Sequence, residues 1–327
     1  MKLRFFAAFF LLAVLIGGFC YGAYSWFTAA VVARGPLREA TTLVITPGSG
    51  VPAISRQLVT AGVIQYPWMF ELETRRLGQA RSLKAGEYKF DTGISVDQAI
   101  DKLVKRDIVY HAVTIPEGLV AADIRGILTA AEFLTGDVTA PFKDGDVLPE
   151  TYRFERGDTR DAMIARMKAA RTSVLNALWS ERASGLPLNT PEEALVLASI
   201  VEKETGLPSE RPHVASVFIN RLRKGMKLQS DPTVIYGLDP NTGQLDRPLR
   251  RADLEAANNY NTYVIAALPP TPICNPGRAA IAAVLTPATT DDLYFVADGT
   301  GGHAFAPTIE QHNRNVARWR EIEKRSP

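Results

Sequence analysis

Thr190-Pro191-Glu192-Glu193-Ala194-Leu195-Val196-Leu197-Ala198-Ser199-Ile200-Val201-Glu202-Lys203-Glu204-Thr205-Gly206 is the stretch on which the reading of this chain turns. Thr190 is a capping residue, Pro191 suits a first helical turn, Glu193 completes a capping box, and Gly206 with Pro208 marks the end. Between these marks, Ala194 to Val201 is apolar at every position except Ser199. A helix that is apolar all round has to be buried on all sides, so this one predicts a core built around it. Two carboxylates follow directly. At about 100° per residue, Glu202 projects over Leu195 and Ala198 and Glu204 over Leu197 and Ile200, so they diverge by roughly 160° and do not share one site.

A carboxylate against apolar walls is costly to ionise, so it stays protonated to higher pH and can serve as a general acid. The same pattern also describes a buried helix whose last turn surfaces, with Glu202 and Glu204 solvated or paired with cations. The residues by themselves leave both readings open.

The 327 residues are 46% hydrophobic and 22% charged, with a net charge of +2. That is globular composition with room for about two domains, and no basic excess points to nucleic acid. Phe5 to Phe27 is an apolar run of the ~20 residues needed to cross a bilayer, preceded by Lys2 and Arg4. The positive-inside rule then puts a short tail, 1–4, in the cytoplasm and everything after the span outside. A cleaved leader would have an apolar core of ~7–15 residues, and this one is longer. Cys20 lies in the span behind Phe19, where a lipoprotein site needs a small residue, so acylation is not expected. Cys274 is the one cysteine beyond the span, which leaves no disulfide for the outer part. Tyr24, Trp26 and Phe27 suit the outer aromatic belt.

Residues 28–42 read as a tether. A strand at Leu43-Val44-Ile45, helices over 51–58 and 67–76 with Trp68, Phe70 and Leu72 available for a core, a strand at 85–90 and a helix over 95–105 make a small α+β module, 43–115. Its layout resembles a LysM-type carbohydrate-binding module, although a plain spacer has the same content. A strand near 109–115 leads into Pro116-Glu117-Gly118, and a helix is expected over 121–128. Tyr152 stands in a turn-rich stretch, 141–160, at Leu148-Pro149-Glu150-Thr151-Tyr152. A helix over 161–178 follows, with Met163, Ile164, Met167, Val174 and Leu178 as its core stripe.

After the central helix, Ser209 is expected to cap another that buries Val214, Val217, Phe218 and Leu222. Polar and aromatic residues then crowd into turns: Gln229-Ser230-Asp231-Pro232-Thr233, Tyr236, Tyr260-Asn261-Thr262-Tyr263 and Leu268 to Gly277. Glycan sites are built from such parts, because sugar rings stack on aromatic faces and their hydroxyls need fixed polar partners; a loop-rich surface stiffened by prolines has the same look. Leu293 to Ala297 reads as a buried strand, after which Gly299 to Phe305 turns the chain. No nucleophile elbow and no zinc helix is present, and His111, His213, His303 and His312 are too scattered for a metal site. Neither metal nor cofactor is expected. A basic final helix, with Arg314, Arg318, Arg320, Lys324 and Arg325, reads as a solvated face.

Several of these stretches together resemble one family, the membrane-anchored endolytic murein transglycosylases, the MltG or YceG-like proteins. They are Leu197 to Thr205, Val214 to Leu222, Leu228 to Gly237, Tyr260 to Tyr263, Leu268 to Gly277, Tyr294 to Gly299, and Gly302-His303 with His312-Asn313. Ala267 and Thr271 depart from the glycines the family has around its double proline, and Leu148-Pro149-Glu150 is a loose form of its Phe-Pro-Asp turn. The resemblance implies an α+β protein with a transmembrane helix, a LysM-like module and a larger mixed α+β catalytic domain, 116–327. It also implies cleavage of the bond between N-acetylmuramic acid and N-acetylglucosamine within peptidoglycan strands, leaving 1,6-anhydro ends on nascent strands and terminating their elongation. Glu202 carries the acid and base steps on this reading. Gln229, Ser230, Asp231, Tyr236, Tyr260, Asn261, Tyr263 and Asn275 are the candidate sugar contacts, and Glu204 is structural or a modulating charge. Peptidoglycan strands and wall synthases are the implied partners, and the inner membrane facing a periplasm is the implied location. A non-catalytic wall-binding scaffold is the rival reading.

Overall fold

The computed structural model describes residues 2–325 and the side chains of 5–324. Met1, the charges of Lys2 and Arg4 on which the cytoplasmic tail was inferred, and the side chain of Arg325 lie outside the described residues. The fold is mixed α+β, and the chain divides into two units, 1–111 and 112–327.

The first unit begins with α1 (Lys2–Val32), of which Phe5–Val32 is the one helix among the described residues long and apolar enough to cross a membrane. It does not end at Phe27. Phe27 and Val31 are buried in the unit's core, and this packing carries the helix five residues into the expected tether. The remainder of that segment is held too: Leu37 is buried, and the Gly93 N–H donates to its carbonyl. Then come β1 (Thr41–Ile45), α2 (Val51–Thr60), α3 (Pro67–Arg76), β2 (Gly86–Phe90) and α4 (Val96–Lys105). β1 pairs antiparallel with β2, Leu43 opposite Tyr88. Ser95 caps α4 in a full capping box with Gln98. Phe70 joins Tyr88, Phe90 and Leu103 in the core, but Trp68 and Leu72 remain exposed. On α3 the core side is Met69, Phe70, Glu73 and Thr74, and positions 68 and 72 fall on the other face.

In the second unit β3 (His111–Thr114) pairs with β4 (Thr151–Phe154). Tyr152 therefore sits in a strand rather than a turn, buried, with its hydroxyl donating to the Leu148 carbonyl. Helices α5 (Ala121–Ala130), α6 (Arg160–Ser180), α7 (Pro191–Glu204), α8 (Arg211–Arg223), α9 (Asp231–Leu238), α10 (Arg251–Glu255) and α11 (Arg278–Leu285) follow. A hairpin of β5 (Tyr294–Ala297) and β6 (His303–Ala306) and the final α12 (Ile309–Arg325) complete the unit. β5 is only half-buried, since a two-stranded hairpin covers one of its faces, and β6 occupies residues read as a turn. On α6, Met163, Ile164, Met167 and Leu175 are buried, while Val174 and Leu178 pack at the margin.

All eight residues from Ala194 to Val201 are buried, as their all-round apolarity requires, with α6, α8, α9 and α11 packed about α7. The Thr190 hydroxyl accepts from the Glu193 N–H at 3.1 Å, but the returning Glu193 carboxylate takes the N–H of Asn189 rather than that of Thr190. The helix stops at Glu204 because Thr205 is extended and its hydroxyl accepts from Leu207, so Gly206 is not the terminator. The N-cap of α8 is Glu210, not Ser209, and it makes no side-chain cap. Three helices were not anticipated: α9, which begins within the Asp231-Pro232-Thr233 turn signal, the short α10, and the alanine-rich α11.

Candidate active site

The last turn of α7 points Glu202 and Glu204 into separate surroundings. Only 4% of the Glu202 side chain is exposed. Its Oε1 accepts from Arg211 Nη2 at 3.1 Å, from the first turn of α8, and its Oε2 accepts from the Gly277 N–H at 2.9 Å. Gly277 is the N-cap of α11, so the carboxylate sits at the positive end of that helix. The same Arg211 Nη2 lies 3.2 Å from Glu117 Oε2, which makes one cation serve two carboxylates. Burial raises the pKa of Glu202 above the usual carboxylate range, and Glu117 adds to the rise. The Gly277 N–H and Arg211 oppose it without cancelling it.

Two glycines make this packing possible. A Cβ on Gly277 would lie 1.8 Å from Glu117 Oε1, so no side chain fits between the two acids. Gly118 has φ +77°, and a Cβ there would approach Glu202 Cγ to 3.5 Å. Beside Glu117 and Arg278 opens a cleft of about 500 Å³, lined also by Ile115, Pro116, Leu148 and Pro149. Glu202 is joined to Glu117 through Arg211 and is not itself among the residues lining this cleft.

Glu204 turns the other way, toward Ser230, whose hydroxyl donates to it. Part of the residue meets solvent, but its carboxyl end is enclosed, and burial with the nearby Asp231 pushes it up to about 7 against the opposing pull of Ser230 and Arg221. A carboxyl raised in the folded state holds its proton between pH 4.5 and 7 while the unfolded chain has lost it, so stability falls as pH rises through that window. Glu204→Gln should flatten that dependence, removing about 2 kcal/mol of pH-linked stability once the exposed part is discounted. Thermal melts at pH 5 and pH 8 measure it; an unchanged slope in the variant would contradict the assignment.

The other sequence candidates fall into two groups. Around Glu204, Gln229 (φ 51°) accepts from Arg221 Nη1 at 3.3 Å, Ser230 is buried, and Asp231 accepts from the Tyr263 hydroxyl at 2.6 Å. Elsewhere Tyr236 donates to Asp144 at 2.6 Å and meets Tyr260 edge to face at 4.9 Å, and Tyr260 shares a hydrogen bond with Thr271. Asn261 is buried and gives its amide to the carbonyls of Asp253, Leu254 and Ala256. Asn275, also buried, accepts from the Gly145 and Val147 N–H groups and donates to the Leu119 carbonyl. None of the eight is among the hydrogen-bond partners of the Glu202 carboxylate, which are Arg211 and the Gly277 N–H; Asn275 lies two residues before Gly277. Glu117 and Arg211 were missed. Their one local signal is an acid wedged between Pro116 and Gly118, and their meeting across 94 residues is not visible locally.

Among the described residues no group of three or more His, Cys, Asp or Glu is arranged to hold a metal. His213 of α8 pairs with Asp292 in the loop before β5 at 2.7 Å, and His303 of β6 pairs with Glu210, the α8 N-cap, at 2.7 Å.

Comparison with known proteins decides the family. The family model described as the YceG-like family matches residues 43–318. The chain belongs to the YceG-like family. An endolytic murein transglycosylase of Bacillus subtilis is 31% identical over 302 residues, with 83% of this chain and 82% of that protein covered. One of Streptococcus pneumoniae is 29% identical, covering 94% of this chain and 63% of that longer protein. A crystal structure of a yceG-like protein from Listeria monocytogenes is 29% identical with a TM-score of 0.52, covering 85% of this chain and 99% of that one. The YceG-like match takes in Glu117, Glu202, Glu204, Arg211 and Gly277.

Proposed function

We propose that this YceG-like chain is an endolytic lytic transglycosylase acting on peptidoglycan glycan strands, with Glu202 as its acid and base. The observation that carries the reading is a single carboxyl, 4% exposed and held between Arg211 and the Gly277 N–H. Burial favours its protonated form, which can give its proton to the glycosidic oxygen as that bond breaks. The substrate's 2-acetamido oxygen stabilises the developing cation. Once ionised, the carboxylate is stabilised by the Gly277 N–H and Arg211, and it then removes the proton of the C6 hydroxyl, whose oxygen closes on C1 as a 1,6-anhydro ring. One carboxylate suffices for this route, whereas hydrolysis by water or through a glycosyl-enzyme normally needs two at defined separation.

The cleft beside Glu117 supplies room for the strand, and the partly exposed Gln229, Asp231, Tyr260 and Tyr263 are its proposed sugar contacts. Ser230, Tyr236, Asn261 and Asn275 act by holding loops. The order strand, helix, helix, strand in the first unit supports its LysM-like reading, and the apolar α1 supports anchoring in the inner membrane with the rest of the chain in the periplasm. Nascent strands near wall synthases are the substrate this location favours.

Digestion of purified wall strands, followed by mass analysis of the new ends, tests the proposal. Anhydro ends are expected; reducing ends would mean hydrolysis, and no new ends would mean a binding protein. A second check lies in the pH profile. Cleavage needs protonated Glu202 and falls as pH rises through its raised pKa, so Glu117→Gln, which removes a charge that raises it, should move the alkaline limb to lower pH. An unmoved limb would show that Glu117 does not tune the acid.

A further inference from the structure

The first unit carries an aromatic face that its own core does not use. Trp26 stacks on Trp68 with centroids 6.5 Å apart and planes at 21°, and Tyr66 lies 6.3 Å from the Trp68 ring. Trp26, Tyr66, Trp68 and Leu72 are each 46–60% exposed. On α3, Trp68, Leu72 and Arg75 recur at i, i+4 and i+7 and form one stripe, opposite the buried Met69, Phe70 and Glu73. A groove of about 340 Å³ between Trp26, Ala30, Tyr66 and Met69 extends the apolar surface.

The position of this face along α1 is what identifies its partner. A hydrocarbon layer of ~30 Å takes about 20 helical residues, so a span entered at Phe5 leaves the layer near Tyr24 to Trp26. One residue later Phe27 is already in the unit's core, and Val31 follows it there, within the same unbroken helix. No linker separates span from unit. Wherever α1 crosses a bilayer, the unit starts in the headgroup layer, and the rings of Tyr66 and Trp68 lie level with Trp26. Amphipathic rings beside an arginine are the composition that settles in that layer.

We infer that the first unit docks on the bilayer surface through Trp26, Tyr66, Trp68 and Leu72, with the phospholipid headgroup layer as the partner. The inference rests on the membrane-anchored reading of α1. Exposed tryptophans also stack on sugars, but here the rings are continuous with the span. Leu72 in their midst also offers nothing to a hydroxyl.

The full-length protein in nanodiscs of phosphatidylcholine and phosphatidylglycerol tests this. A nitroxide is placed on Leu72→Cys in a Cys20→Ser background, and in a second sample on the native Cys20; Cys274 is fully buried and stays unlabelled. Oxygen and a water-soluble nickel chelate then report depth. The expected result is a Cys20 label deep in the bilayer and a label at 72 in the headgroup layer, with several-fold less access to nickel than a free aqueous nitroxide. A deep Cys20 label with full nickel access at 72 would overturn docking and leave the anchor standing. Nickel access at both positions would remove the anchor and docking with it. A label at 72 immobilised by added glycan fragments but open to nickel without them would give the face to sugar and refute the inference.

Discussion

Glu202→Gln yields a folded protein that has lost strand cleavage by roughly 10³- to 10⁴-fold, the upper range for a single general acid. The amide keeps the volume of the carboxyl, and its oxygen can still accept from either Arg211 or Gly277. What it cannot do is deliver a proton to a leaving oxygen or recover one from an attacking hydroxyl. The proposed route assigns both steps to this one group, and Glu204 cannot take over, because it faces Ser230 on the opposite side of α7. The measurement is the release of new glycan ends per unit time, alongside a melting curve. Cleavage within about tenfold of the parent in a folded variant would remove Glu202 from the chemistry. Glu204→Gln is the matched control, and it should retain most activity while changing the pH dependence of melting.

Asn275→Ala should be the most damaging single change to the second unit away from the acid itself. One fully buried amide closes three backbone bonds, to the Gly145 and Val147 N–H groups and to the Leu119 carbonyl. Its own backbone pairs with the same segment, accepting from the Gly118 N–H and donating to Leu119. Truncation strands two donors, the Gly145 and Val147 N–H groups, where protein replaces water, while the Leu119 carbonyl keeps the bond from the backbone N–H at 275. With each buried polar group costing about 1–3 kcal/mol and some water entering the space, a loss of about 3 kcal/mol is expected. In a unit of this size that lowers the melting temperature by roughly 6–12 °C. Activity should fall at least about tenfold even below the melt, because the segment that loosens carries Glu117 and Gly118 against Glu202. Calorimetry and initial rates at a low temperature separate the two effects. A variant that melts with the parent would show that Asn275 does not hold this segment.

Local signals served best where one residue's surroundings are dictated by its own helix. The helix expected over 95–105 begins on its Ser95 cap, and Pro67 opens its helix as read. They failed where a partner strand or a packed neighbour decides. Tyr152 lies in a strand because β3 is there to pair with it, Phe27 and Val31 extend α1 because a core receives them, and Trp68 is exposed because Met69 and Phe70 take the inward face. Gly206 and Ser209 were reasonable stop and start marks, but extended Thr205 and Glu210 hold those places.

Two features of this protein follow from its amino-acid order without further help. A run that is apolar on every side has no stable place except inside, so the burial of Ala194 to Val201 is a property of the run itself, as is the apolar length of α1. The company kept by Glu202 is different. Glu117, Arg211 and Gly277 are brought to it by the packing of three separate segments, and its raised pKa is the sum of their charges, dipoles and excluded water. Such a sum exists only in three dimensions, because desolvation and Coulomb attraction act through space and not along the chain.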